Sequence, residues 1–298
     1  MDRPTKHEFG GEWTSEKLDR VKKYLSAYTT IFTRNPRARN LNTIYVDAFA
    51  GTGYRSEAQK VRAEELPFPE LLEEDAQAFL KGSARIALEV HPPFNKYVFV
   101  EKNPDRVKEL EDLRKEFPEK ARAIEIVNKE ANGYLGTWCR ATDWRLNRAV
   151  VFLDPYGMQV DWSLLESIAK TQAIDLWILF PLGMAVNRLL TKSELPSEKW
   201  CQALDRLFGS RTWKESFYTK KKIETLFGDE DVQVKDADFD AISLYFVNRL
   251  KTVFVGVADN PLPLRNSRNI PLFLLCFAVG NPKGAPTALR IAKDILKK

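Results

Sequence analysis

Three observations predict an α/β protein built on a doubly wound, mostly parallel sheet of about seven strands. Short β-branched and aromatic runs recur along the chain, amphipathic helical stretches separate them, and most of the runs close on an acid or a glycine turn. The first run shows the pattern in full. Thr43-Ile44-Tyr45-Val46-Asp47-Ala48-Phe49-Ala50-Gly51-Thr52-Gly53 reads as a buried parallel strand followed by a tight turn. Ligands of open α/β sheets bind at such carboxyl ends, where glycine lets the backbone approach closely.

In chain order, Trp13 to Phe32 places Leu18, Val21, Tyr24, Leu25, Tyr28 and Phe32 on one helical face, with Thr14 or Ser15 as the cap. Asn35-Pro36 ends that helix, and Asn42 to Asp47 is the first strand. The charged, proline-containing stretch 54–81 is expected to be an insertion. Gly82-Ser83 offers a fresh cap for a helix from Ala84 to Val90, and Lys96 to Val100 is a second strand ending in Glu101. A helix from Asn103-Pro104-Asp105 to about Phe117 leads to a third strand, Ala123 to Val127, followed by Asn128, Lys129 and Glu130. Arg148 to Leu153 is the fourth and stops at Asp154-Pro155-Tyr156-Gly157. The helix Trp162 to Lys170 and the strand Ile174 to Phe180 complete the alternation, which argues parallel pairing with right-handed crossovers. A helical insertion is expected over 181–235. After a helix from Asp238 to Lys251, strands at Val253 to Val257 and Leu272 to Val279 lack room for a helix between them, so an antiparallel pair should close the sheet. The expected organisation is one domain over 1–298.

Composition narrows the chemistry. Apolar residues make up 44% and charged residues 29%, the balance of a soluble globular protein, and no run reaches the length of a membrane helix. With a polar start rather than a signal-like one, the expected location is the cytoplasm. The three cysteines, Cys139, Cys201 and Cys276, are scattered, and there are only two histidines, His7 and His91. That argues against a zinc site and against histidine acid/base chemistry, and leaves packing as the expected role of the cysteines. A net charge of +5, with Arg34, Arg37 and Arg39 in one cluster and Lys220 to Lys222 in another, suits a polyanionic partner without requiring one.

Four acids fall at or just beyond successive strand ends: Asp47, Glu101, Glu130 and Asp154. A ligand with an amino-acid tail, a ribose and an adenine uses each of them. The glycine turn admits the tail, Glu101 accepts from the ribose hydroxyls, and Glu130 accepts from the adenine amine, unless it serves only as a cap or surface ion pair. Gly51-Thr52-Gly53 lacks the third glycine of the dinucleotide fingerprint, so the expected cofactor is S-adenosylmethionine. The cofactor-binding set is Asp47, Ala48, Phe49, Gly51, Gly53, Glu101, Lys102, Glu130, Ala131 and Asp154, and the catalytic set is Asp154, Pro155 and Tyr156. Proline fixes the backbone so that the Asp154 carboxylate and a neighbouring carbonyl face one donor, and Tyr156 can stack on a planar base. The bland alternative is a strand-terminating Asp-Pro turn.

Asp47-Ala-Phe-Ala-Gly-Thr-Gly53, Phe99-Val-Glu101-Lys, Phe152-Leu-Asp-Pro-Tyr-Gly157, Phe180-Pro181, Leu207-Phe-Gly209 with Trp213 and Tyr218, Tyr245, Arg249-Leu250 and Asn281-Pro-Lys-Gly284 together resemble the three-Cys-motif partner protein (TcmP) family. The resemblance covers most of the chain outside 54–81. It implies a Rossmann-like class I methyltransferase fold and a radical-SAM-like partner protein that carries three cysteines. The Asp-Pro-aromatic-Gly turn also resembles that of tRNA guanine-N2 methyltransferases. It is less like the Asp-Pro-Pro-Tyr turn of amino-methylating DNA enzymes, because the second proline is absent.

These readings converge on methyl transfer to an exocyclic amine of a nucleobase in DNA or RNA. A non-catalytic accessory subunit of the radical-SAM-like partner and a small-molecule methyltransferase are the alternatives.

Overall fold

The computed structural model describes residues 12–49, 82–155, 157–225 and 228–297. The expected insertion at 54–81 and the site residues Gly51, Gly53 and Tyr156 lie outside these. The strands are β1 (Asn42–Ala48), β2 (Lys96–Val100), β3 (Ile124–Val127), β4 (Asn147–Leu153), β5 (Ile174–Phe180), β6 (Tyr218–Thr225), β7 (Gly228–Lys235), β8 (Gly256–Val257), β9 (Leu262–Arg265) and β10 (Pro271–Val279). The main sheet runs β3-β2-β1-β4-β5-β10-β8, with β9 also paired to β10. Strands β1 to β5 pair in parallel, and β10 is antiparallel to β5, β8 and β9. The Rossmann-like expectation, a mostly parallel sheet with an antiparallel closing strand, is therefore met. Strand order reverses between β1 and β4, which is where open α/β sheets leave a crevice at their carboxyl edge.

The helices are α1 (Glu12–Arg34), α2 (82–89), α3 (Pro104–Glu116), α4 (Ala131–Ala141), α5 (Trp162–Lys170), α6 (Glu198–Phe208), α7 (Trp213–Phe217), α8 (Phe239–Lys251) and α9 (Ala285–Leu296). Alternation within the strands sorts their side chains onto two unlike faces. Ile44, Val46, Ala48, Val98, Val100, Val151, Leu153, Leu176 and Ile178 face α4, α5, α6 and α8. Tyr45, Tyr97, Phe99, Phe152, Trp177 and Phe277 lie on the other face with α1, α2, α3 and α9. One side of the sheet is thus aliphatic and the other mostly aromatic.

Helix α1 covers the aromatic face through a buried stripe of Lys17, Val21, Tyr24, Leu25 and Tyr28. The Tyr24 ring sits 4.9 Å from Phe277 and 5.3 Å from Trp177, and its hydroxyl donates to Asp175 Oδ2 at 2.7 Å. Burial pushes the Asp175 carboxyl up to about 7, against the Tyr24 hydrogen bond and the charge of Arg148.

Three segments depart from expectation. The stretch 181–235 is not helical throughout. A π turn, Leu182–Val186, and helices α6 and α7 give way at Tyr218 to the antiparallel ribbon β6–β7. Its first strand, Tyr-Thr-Lys-Lys-Lys-Ile-Glu-Thr, is mostly polar and lacks the apolar alternation that marks a half-buried strand. The strand expected at Val253 to Val257 shrinks to Gly256–Val257. The Val253 and Phe254 N–H groups donate to the Leu250 carbonyl at 3.1 and 3.0 Å and finish the α8 terminus instead. Strand β9 contains Pro263, a residue that argues against a strand except at an edge or bulge, and it pairs only with β10. The cysteines are buried and unpaired as packing residues, and burial raises the Cys139 thiol to about 12.

Two stability tests follow from the packing. A Cβ on Gly183 would lie 2.1 Å from the Pro271 carbonyl oxygen, a backbone atom with no side-chain freedom to move away. Gly183→Ala should destabilise the protein by about 2–3 kcal/mol in urea unfolding. For Asp175 the folded carboxyl titrates near 7 and the ordinary value is 3.8. Between these pH values the unfolded chain is ionised while the folded one keeps its proton, so this group's contribution to stability falls as pH rises and levels off above 7. Asp175→Asn, which keeps an acceptor for Tyr24, should reduce the loss in urea midpoint between pH 5 and pH 8. An unchanged loss would contradict this account.

Candidate functional site

Register sets the site. Ala48 is level with Val100 on one side and Leu153 on the other, and Val100 is level with Val127. The next residues, Phe49, Glu101, Asp154 and Asn128, therefore leave the sheet side by side at its carboxyl edge. Asp47 lies two residues inside this line, and Glu130 two residues beyond it.

At the end of β1, Asp47 is 1% exposed and accepts from the Tyr45 hydroxyl at 3.2 Å. Burial pushes its carboxyl up to about 7 and the Asp154 charge adds to this, while the Ser83 and Tyr45 hydroxyls and the Lys17 charge oppose it. Ala48 is fully buried on the aliphatic face. Phe49 is buried with φ +64°, a left-handed conformation unusual for an aromatic residue. Such backbone strain concentrates at ligand-binding turns, and Phe49 stands two residues before Gly51 in the sequence.

At the end of β2, Glu101 is 2% exposed. Its Oε1 accepts from the Asn103 N–H at 2.5 Å, whereas its Oε2 is buried with no hydrogen-bond partner. Burial raises this carboxyl to about 7, against the Asn103 N–H and the Arg106 charge. Asn128 Nδ2 donates to the Glu101 and Lys102 carbonyls at 2.9 Å each and ties the ends of β2 and β3 together. The Lys102 side chain is exposed.

Glu130 caps α4. Its Oε1 accepts from the Asn132 N–H and Nδ2, and its Oε2 accepts from the Gly133 N–H, all at 2.8 Å. Burial raises its pKa but these hydrogen bonds outweigh it, and the carboxyl sits below its ordinary value. The capping alternative is thus the one this geometry displays. Ala131, the first residue of α4, is buried in the aliphatic core. Asn132 links this helix start to the segment after β4 by donating to the Gln159 carbonyl at 2.9 Å and accepting from the Asp161 N–H at 3.0 Å.

Asp154, 13% exposed at the end of β4, is held by Lys17. The Lys17 ammonium lies 3.3 and 3.1 Å from its two carboxylate oxygens, and the Lys17 side chain is 1% exposed. Burial raises the Asp154 pKa, and the charge and hydrogen bond of Lys17 act against that. Pro155 is buried, and its carbonyl accepts from the Gly157 N–H at 3.0 Å in a turn where Gly157 has φ +96°. The expected pairing of that carbonyl with the Asp154 carboxylate on one donor is therefore modified, since each already has an internal donor. Both retain a second lone pair per oxygen.

Lys17 is absent from the sequence-predicted set. The signal was its position four residues before Val21 and seven before Tyr24, a charge on the apolar stripe of α1. Among the described residues no cluster of ligating side chains could hold a metal ion, and no helix is long and apolar enough to cross a membrane.

No family model and no curated protein matches this chain. Solved structures give remote likenesses. Protein LPL1258 from Legionella pneumophila str. Philadelphia 1 is 12% identical with a TM-score of 0.48, covering 97% of this chain and 92% of that one. The glycopeptide N-methyltransferase MtfA, solved with S-adenosyl-L-homocysteine, is 12% identical with a TM-score of 0.33, covering 87% and 89%. The 23S rRNA methyltransferase ErmE is 11% identical with a TM-score of 0.28, covering 74% and 68%. Likenesses this remote transfer neither a substrate nor a partner.

The cap on α4 is testable apart from any activity. Glu130→Ala should cost about 1 kcal/mol of stability in thermal or urea unfolding, the ordinary cost of losing an N-cap. A change within a few tenths of a kcal/mol would show that the cap contributes little.

Proposed function

We propose that the chain is an S-adenosylmethionine-dependent methyltransferase acting on an exocyclic amine of a nucleobase in DNA or RNA. The observation that carries this is the row of strand ends at the switch point. Within it, Glu101 Oε2 at the end of β2 is buried without a partner, and Asp154 stands at the end of β4 on the other side of β1. A buried acceptor left unsatisfied costs about 1–3 kcal/mol, and a ribose hydroxyl is a donor of the right kind to relieve it. Asp47 and Ala48 at the end of β1, with Phe49, Gly51 and Gly53 after them, would receive the amino-acid tail. Backbone groups beside Lys102, Glu130 and Ala131 would meet the adenine, since the Glu130 carboxylate caps α4.

Bound there, S-adenosylmethionine supplies an electrophilic methyl on a cationic sulfur. The chain itself would orient the acceptor. Asp154 takes a hydrogen bond from the target amine through a free lone pair, Pro155 holds the strand exit rigid, and Tyr156 packs on the base. The basic clusters at Arg34 to Arg39 and Lys220 to Lys222 are exposed, as phosphate contacts require.

A second reading has its own support. Because Lys17 already holds the Asp154 carboxylate, the site also suits a subunit that binds the cofactor without catalysis, serving the radical-SAM-like partner that the TcmP motifs imply. Incubation with labelled S-adenosylmethionine and a mixed nucleic-acid pool, followed by nucleoside mass analysis, separates the two. The proposed activity predicts a methylated nucleoside, transfer lowered at least about 100-fold in Asp154→Asn, and cofactor affinity weakened about tenfold in Glu101→Gln. Cofactor binding with no labelled product, with or without the partner, would favour the accessory role. Nucleic-acid affinity that does not fall with salt would instead point to a small-molecule acceptor.

A further inference from the structure

Lys17 is sealed at 1% exposure on the inner stripe of α1, and the Asp154 carboxylate that it holds keeps 13% exposure at the carboxyl end of β4. We infer that Lys17 is a positioning residue for the proposed transfer: from the buried side it holds the Asp154 carboxylate as an anionic acceptor and leaves the exposed side to the target amine. The inference rests on the methyltransfer reading for its function, while its geometry stands independently.

Charge shows why the site needs such a residue. Among the described residues, the titratable groups that act on the Asp47–Asp154 pair are Lys17 from α1 and Tyr45 from β1. Two enclosed carboxylates repel each other, and burial disfavours both charges. The Lys17 ammonium bonds Asp154 and acts on Asp47 through its charge, so it favours the ionised form of Asp154 against burial. Without it the balance at Asp154 moves toward the protonated form, which offers a donor where the target amine needs an acceptor. The lysine stem also suits the place: it crosses the aromatic face beside Trp13, whose ring centroid lies 5.0 Å from Nζ, and Trp13 in turn packs 5.1 Å from Phe273. Only the charged end therefore needs a polar partner.

The test compares Lys17→Met, which keeps the apolar stem, with Lys17→Arg, which keeps the charge. In carboxyl-labelled protein, the Asp154 resonance should titrate at higher pH in Lys17→Met than in wild type, and Lys17→Arg should lie near wild type. In transfer assays Lys17→Met should lose at least about tenfold in kcat at pH 7, with KM for nucleic acid little changed and activity recovering as pH rises. Should Lys17→Met fail to fold, Lys17→Gln, a neutral donor, is read the same way. An Asp154 titration identical in the neutral variant and wild type overturns the inference, and so does a wild-type kcat at pH 7. A shifted titration in a protein that transfers no methyl would instead uphold the role of Lys17 and remove the proposed activity. The two failures are thus distinct.

Discussion

The architecture depends on burying carboxylates beneath one helix. Asp47 and Asp175 project from β1 and β5 among aromatic side chains, and Asp154 sits at the end of the strand between them. A carboxyl in such surroundings must find a donor, take a proton or destabilise the fold. Helix α1 supplies donors for two of the three, Lys17 at Asp154 and Tyr24 at Asp175. Apolar packing alone would tolerate sliding or rotation of a helix on a sheet, whereas two polar contacts seven residues apart on one stripe fix both. Buried polar pairs add little net stability, so their effect here is to specify one docking position.

The same constraint links the scaffold to the site. Tyr24 and Lys17 belong to a single rigid helix, so the position of the ammonium at the carboxyl edge is set by packing further down the sheet, where Tyr24 meets Trp177 and Phe277. On the far side, Asn132 and the Glu130 cap anchor α4 to the segment following Asp154. The row of strand ends is therefore held from both faces by hydrogen bonds that do not involve a ligand, as a preorganised site requires.

Much of this was legible in the chain. Parallel strands buried on both faces read as continuous apolar runs, and their ends are punctuated by residues that cannot continue them, which is why Asp47, Glu101 and Asp154 stood out. Lys17 was harder to see, because its partner lies 137 residues away and periodicity ranks a lysine as solvent-facing by type. Glu130 illustrates the reverse problem. A carboxylate at a strand-to-helix junction serves equally to cap or to bind, and only its distances to Asn132 and Gly133 distinguish the two. The β6–β7 ribbon escaped because its pairing is local and its first strand is mostly polar, so the sequence there shows no apolar period of two.

The span of the α1 contacts also bears on how the molecule comes into being. Lys17 and Tyr24 precede the acids they meet by 137 and 151 positions. A growing chain therefore carries the amphipathic stripe of α1 before either acid exists. Contacts closed over such separations form late, because the entropy of ordering the intervening chain has to be overcome first. Until α1 docks, the Asp154 carboxylate lacks the cation that organises it.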